Sequence, residues 1–354
     1  MSRPLRVLFV TNGLAYGGAE RIVEALAIDL KAAGDEVLVV ATTRGGPIAD
    51  NLNRCGIHVH LLNIRSPFDA RVVWRLAKVM RQFAPDIVHS HLAVADIATA
   101  LARPSVNAGF VTTVHNPGVE LDPLKKSLWQ ASLLAFDRII AVGEHVRESI
   151  GPSDKVRVIR PSLVDLKAEV WSRQRARLEL GIPERAPLAL SVGRLSRIKG
   201  FDVLAGSYAH LKTSGARVAV IGEGPEEALL RRSPLELVGG KDAAAELLAA
   251  ADVVVVPSRS EGFPQVPLHA MAASRALVAT RVGGTPEVIV DRSTGILVAP
   301  ESPRALAEAI DELLQDQALA ERMGGAGRQR IADAELTRAA MVQKTRELYL
   351  EILG

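Results

Sequence analysis

The sequence predicts an α/β protein of two Rossmann-like domains facing each other across a cleft. Three observations lead there. The length of 354 residues exceeds what one ordinary core fills. Short apolar runs rich in β-branched residues alternate with helix-period segments along the chain. A proline break at Arg160-Pro161-Ser162 separates two such alternating sets.

In the first set the strand candidates are Arg6–Thr11, Glu36–Ala41, His58–Leu62, Asp86–His89, Phe110–Val114, Arg138–Val142 and Val156–Ile159. Helical patterns such as Ala19–Ala33 and Arg71–Phe83 lie between them. Strand alternating with helix implies parallel strands under covering helices. The second set has strand candidates Leu188–Val192, Ala216–Ile221, Leu235–Val238, Val253–Val256 and Leu277–Ala279. Four consecutive valines at Val253–Val256 suit a strand covered on both faces. The helices of this set include Phe201–Lys212, Ala243–Ala250 and Pro303–Gln315, and a long amphipathic helix runs from about Leu336 to Leu353.

Composition narrows the function classes. The chain is 48% hydrophobic and 23% charged, typical of a globular protein. A net charge of +3 is too small to argue for nucleic acid. One cysteine, Cys55, excludes an internal disulfide or a multi-cysteine metal site and is compatible with a reducing compartment. The N-terminus looks like a first strand and not a signal peptide, and no run approaches the roughly 18 apolar residues of a membrane span. The expected location is the cytoplasm.

The candidate chemistry lies where strands give way to helices. The segment Ser258–Ala273, SRSEGFPQVPLHAMAA, places the carboxylate of Glu261 just past a buried strand, the end at which open α/β sheets bind ligands. The backbone N–H groups of Gly262, Phe263 and Gln265 follow it. A carboxylate at a helix start also favours the helix dipole, but that effect does not account for the surrounding SEGFP. Arg194 and Lys199, in GRLSRIKG, stand after the first strand of the second set, where Arg grips phosphate oxygens bidentately and Lys acts as a point charge. Judged alone, a solvated basic turn explains them equally well. Gly17 and Gly18 open the first long helix, where exposed N–H groups favour an anion. A tight turn is the competing explanation. Gly222, in IGEGP, again follows a strand. His115 lies just past an apolar strand, and His89 and His91 flank a similar strand end. There is no Asp-x-Asp triplet at a strand end and no histidine pair at zinc spacing, so a metal-independent site is expected.

Taken together, the Gly-Gly-Ala-Glu-Arg loop, GRLSRIKG and SEGFPQVPLHAMA resemble, in order and position, the family-4 retaining glycosyltransferases. The resemblance covers nearly the whole chain. It implies the GT-B fold, with residues 1–164 as an acceptor-side domain, 165–335 as a nucleotide-sugar domain, and 336–354 as a helix returning to the first. It implies transfer of a sugar from a nucleoside-diphosphate sugar to a glycan or lipid-linked acceptor, in cell-envelope or polysaccharide biosynthesis, with no cofactor. By this resemblance Arg194 and Lys199 bind the diphosphate, Glu261 and His115 meet the donor sugar, and Gly17, Gly18 and Gly222 lie near the nucleotide. VGGTPE, Val282–Glu287, is another stretch frequent in the family and is read here as mainly structural. The chain departs from the pattern at His269, where the family carries a second Glu that binds ribose. A neutral imidazole donates and accepts hydrogen bonds, so ribose recognition can survive the exchange.

Two other readings fit the same segments. A partner subunit could keep the fold and have lost catalysis, which His269 favours and intact Arg194, Lys199 and Glu261 oppose. A sugar-nucleotide epimerase would need no acceptor, and SEGFP argues against it. A membrane-facing side is a further expectation. Arg71–Phe83 carries Arg71, Arg75, Lys78 and Arg81 beside apolar residues, and Asp122–Phe136 adds Lys125, Lys126 and Trp129. Basic amphipathic helices with an interfacial Trp can lie on anionic membranes, although solvated basic faces explain them too.

Overall fold

The computed structural model describes residues 3–15, 17–64, 69–116 and 121–354. The chain divides into two compact units, Met1–Leu163 with Arg338–Gly354, and Val164–Thr337.

Among its described residues the first unit holds seven strands: β1 Arg6–Thr11, β2 Glu36–Ala41, β3 His58–Leu61, β4 Ile87–His91, β5 Gly109–Val114, β6 Arg138–Ala141 and β7 Val156–Val158. They form one sheet in the order β3-β2-β1-β4-β5-β6-β7, every pairing parallel. Strand order reverses between β1 and β4. Val7, Phe9, Val39 and Val111 pack with Ile22, Leu26 and Leu30 of the Gly18–Ala32 helix in one apolar core. The Arg338–Leu353 helix joins this core through Met341, Leu348 and Tyr349. Its charged side chains add specific ties. Arg338 pairs with Asp29 at 2.6 Å, and Arg346 with the fully buried carboxylate of Asp35 at 3.0 Å. Asp35 also accepts from the Leu5 N–H at 2.9 Å, so its charge is compensated within the core.

The second unit holds six strands: β8 Leu188–Val192, β9 Arg217–Ile221, β10 Glu236–Gly239, β11 Val253–Val256, β12 Ala276–Thr280 and β13 Ile296–Val298. Their order is β10-β9-β8-β11-β12-β13, again all parallel. Here the order reverses between β8 and β11. Val253 and Val255 pack with Val218, Val220, Val278 and helical Leu306, Ile310 and Leu313.

Some elements differ from expectation. The helix expected over Phe201–Lys212 is α-helical only at Phe201–Ser207 and tightens to a 3-10 turn at Tyr208–His210. Ala244–Leu247 likewise gives way to a 3-10 turn, Leu248–Ala250. β13 and a helix at Gln317–Asp333 are additional elements.

Candidate functional site

In the second unit, the reversal point between β8 and β11 leaves two loops that diverge from neighbouring strand ends. Ligands of open parallel sheets bind at such points. The strands are tied there by Ser191 Oγ, which donates to the Val255 carbonyl at 2.6 Å. The loop after β8 carries Arg194 and Lys199, and the loop after β11 carries Ser258 and Glu261. Lys199 Nζ donates to Glu261 Oε1 at 2.7 Å, and Ser258 Oγ donates to the same oxygen at 2.6 Å. The Lys199 side chain is 32% exposed and that of Glu261 only 11%. The carboxylate is therefore held from the protein side while the ammonium keeps solvent access.

Backbone geometry explains how the loops come so close. Gly200 has φ +67°, and a Cβ there would overlap the Pro257 carbonyl. Only glycine fits both demands. Arg259 then locks the loops together. Its guanidinium donates to Asp202 at 2.7 and 2.8 Å and to the Arg197 carbonyl at 2.6 Å, and it pairs with Glu301. The hydrogen bonds from Arg259 hold the Asp202 carboxyl below its usual range. Gly222 follows β9 with φ +156°, in contact with Gly193. A side chain there would collide with the Gly193 carbonyl and push the Arg194 loop away. Arg194 itself is exposed, and among the described residues its guanidinium has no partner.

Gly262 is half-buried, and the Phe263 ring is buried in the unit, so Phe263 offers only its backbone to a ligand. Gln265 opens the Gln265–Ala272 helix, whose first turn no side chain caps. His269 lies half-buried on that helix. The Glu287 carbonyl accepts from Arg330 at 2.8 Å.

In the first unit, the reversal between β1 and β4 brings a second set of polar groups to the carboxyl edge. Asn12 Oδ1 accepts from the Ala95 N–H at 2.9 Å, joining the end of β1 to the Ala93–Ala102 helix. Gly17 is the N-cap of the Gly18–Ala32 helix, with no side-chain cap bond, and a Cβ on Gly18 would meet nothing within 4 Å. Tyr16 of the same loop lies outside the described residues. His89 is enclosed, Nδ1 against Tyr349 Oη at 2.5 Å and Nε2 against Thr113 Oγ1 at 2.7 Å. His91 Nδ1 meets His115 Nε2 at 2.9 Å. Burial pushes His115 down to about 4 and, with the neighbouring His115, His89 down to about 3. His91 is lowered well below its ordinary value by burial and by both neighbours. All three rings are neutral near pH 7.

Residues 16–165 match the family described as Glycosyltransferase Family 4, and residues 172–330 match Glycosyl transferases group 1. The α-maltose-1-phosphate synthase of Mycobacterium tuberculosis is 32% identical over 76% of this chain and 80% of its own length. The chain is a family-4, group 1 glycosyltransferase. The N-acetyl-α-D-glucosaminyl L-malate synthase of Bacillus anthracis is 25% identical over 96% of this chain and 95% of its own. Among solved structures, Anabaena HepE in complex with UDP-glucose superposes with a TM-score of 0.86 at 19% identity, covering 98% of this chain and 100% of that one. The glycosyltransferase thus has the GT-B type of fold, with two parallel Rossmann-like sheets and the C-terminal helix.

In the glycosyltransferase, Arg194, Lys199, Glu261, Gly222, Gly262, Phe263, Gln265 and His269 all belong to the second unit, and Gly17, Gly18 and His115 to the first. Two partners escaped the sequence reading. Ser258 and Arg259 stand within the quoted segment but carry no motif of their own. His91, named in the sequence beside His89, is the last residue of β4 and is the one that meets His115. Among the described residues no group of three or more His, Cys, Asp or Glu side chains is placed to hold a metal.

One expectation is corrected. Trp129 does not face a membrane. It is 5% exposed, and its indole N–H donates to Asp96 Oδ2 at 2.8 Å. Asp96 also accepts from Ser90 and Thr112, at 2.6 and 2.8 Å, and burial raises its carboxyl to about 6. The exposed tryptophan of this enzyme's first unit is Trp74, at 63%.

Proposed function

We propose that the enzyme moves a sugar, with retention, from a nucleoside-diphosphate sugar to a glycan or lipid-linked acceptor in envelope or polysaccharide assembly. The observation that carries the donor assignment is the Lys199–Glu261 pair, with the Arg194 guanidinium, unpaired among the described residues, on the same loop as Lys199. Arg194 and Lys199 neutralise the diphosphate as charge builds on it, and take the place of a metal cation. Glu261 accepts from sugar hydroxyls. His269 binds ribose, Gly222 and the Gly262–Gln265 backbone line the nucleotide, and Gly17, Gly18 and His115 approach the phosphates and sugar. The bond from the anomeric carbon to the diphosphate oxygen breaks as the acceptor oxygen bonds to the same face. The acceptor's proton passes to the departing diphosphate, so no dedicated protein base is required.

The acceptor side of the proposal rests on an apolar face of the first unit. Exposed Trp74, Leu101, Leu124 and Leu128 stand near Arg71, Lys78, Lys125 and Lys126. Between them lies a groove of about 260 Å³, lined by Val73, Val94, Ile97, Leu101 and Leu128. Arg71 is paired with Asp69 and Lys125 with Asp122, each at 2.6 Å, so Lys78 and Lys126 supply the positive charge by which this apolar surface suits an anionic lipid surface. The contact proposed is peripheral, and no helix among the described residues is long and apolar enough to cross a membrane.

The test is a panel of UDP-, GDP- and ADP-sugars with glycan and lipid-linked acceptors, scored for glycosylated product by mass spectrometry. Product from one nucleotide series, with the anomeric configuration of the donor kept, is expected. Inverted product, or none from any nucleotide sugar that binds, would contradict the reading.

A further inference from the structure

The carboxyl edge of the first sheet carries a buried imidazole whose role follows from proton counting. His91 ends β4 and is fully buried. Phe9 and His89 fix its ring, at centroid distances of 6.0 and 4.3 Å. Its Nδ1 lies 2.9 Å from His115 Nε2, and its Nε2 is buried with no partner among the described residues. His115 Nδ1 has no protein partner among the described residues.

Two neutral rings that meet nitrogen to nitrogen hold one proton between them. If His115 Nε2 carried it, His91 would bear its own proton on Nε2, leaving a buried N–H with nothing to receive it. If His91 Nδ1 carries it, His91 Nε2 is left as a bare lone pair. Buried orphan N–H groups are rarer than under-satisfied acceptors, so the second arrangement is favoured. It has a consequence for the outer ring. With Nε2 accepting, the proton of neutral His115 sits on Nδ1.

We infer that His91 is a positioning residue that fixes His115 as the Nδ1–H tautomer, so that His115 acts on the donor sugar as a hydrogen-bond donor and not as a base. The sugar-facing part of this rests on the function proposed above. The tautomer part does not. Burial, which lowers both histidines, keeps the pair neutral and the shared proton single. Tyr349 and Thr113 occupy both nitrogens of His89, so His89 cannot relieve His91.

The experiment is long-range proton–nitrogen correlation on the full chain labelled with nitrogen-15 histidine, with the His115 signals assigned by their loss in His115→Gln. The expected result is Nδ1–H for both His91 and His115 at neutral pH. His91→Asn, whose amide N–H can replace Nδ1–H, should keep the His115 signature and most of kcat/KM for the donor. His91→Asp, whose carboxylate only accepts, should draw the His115 proton to Nε2 and lower kcat/KM about tenfold, the scale of one hydrogen bond. His115 as Nε2–H in the native protein would overturn the inference without any assay. So would an unchanged His115 tautomer in a folded His91→Asp protein. An Nδ1–H tautomer in a protein that turns over no nucleotide sugar would instead count against the proposed function and leave the positioning role standing.

Discussion

Lys199 and Glu261, 62 residues apart in sequence, meet at 2.7 Å where the strand order of the second sheet reverses. Ser258 shares the same carboxylate oxygen, so Glu261 is held even when Lys199 turns toward a ligand. Glu261→Gln keeps the shape and removes the charge. We expect a folded protein with near-native nucleoside-diphosphate affinity and kcat lowered by about two orders of magnitude, the scale of one preorganised polar group. Steady-state kinetics beside calorimetric titration checks this.

The glycines divide into two kinds. Gly200 holds φ +67° against the Pro257 carbonyl, so Gly200→Ala is expected to cost ~2 kcal/mol or more in denaturant unfolding. A Cβ on Gly18 meets nothing in the protein, so Gly18→Ala should leave stability within about 0.5 kcal/mol. If a phosphate approaches that helix start, kcat/KM nevertheless falls. Unfolding curves and kinetics on the two variants separate packing from ligand approach.

Acid sensitivity follows from the buried histidines. His115 is lowered to about 4 and His89 to about 3, from an ordinary 6.5, and His91 moves the same way. Between those values the unfolded chain binds protons that the folded one refuses. This stability is fully present above pH 6.5 and is lost as pH falls toward 4. Asp96, raised from 3.8 to about 6, acts oppositely over part of that range. Three groups outweigh one, so urea unfolding should show stability falling by a few kcal/mol from pH 6.5 to 4. His91→Asn removes one titrating ring and should flatten the slope.

The two tryptophans should separate docking from folding. Trp74→Ser is expected to weaken co-sedimentation with phosphatidylglycerol vesicles several-fold and leave unfolding unchanged. Trp129→Phe should retain vesicle binding and lose about 1–3 kcal/mol of stability, because Asp96 Oδ2 loses its N–H partner. Equal vesicle binding by Trp74→Ser and the native protein would remove the lipid-facing assignment.

Much of the fold was legible because its strands are continuous β-branched runs. Val253–Val256 is the plainest, buried along its whole length. Ile296–Val298 escaped because three residues make no pattern. Gln317–Asp333 escaped because Gly324, Gly325 and Gly327 lower the helix propensity of its middle. A Cβ on Gly324 would strike the Ser274 carbonyl, and one on Gly327 would crowd Met271, so the helix trades propensity for close approach. The loops bearing Lys199 and Glu261 could be found by their residues, but their pairing is a property of strand order. Trp129 misled because Lys125 and Lys126 mark its helix as outward, while the partner that draws the indole inward, Asp96, lies 33 residues away.

The most direct measurement is calorimetric titration of UDP and GDP into the native enzyme and Lys199→Ala, with thermal unfolding of both. The account predicts that one nucleotide binds, and that the folded variant binds it at least about tenfold more weakly, having lost a cation on the diphosphate. Equal affinity in a folded Lys199→Ala protein would contradict the placement of the diphosphate at the reversal point of the second sheet.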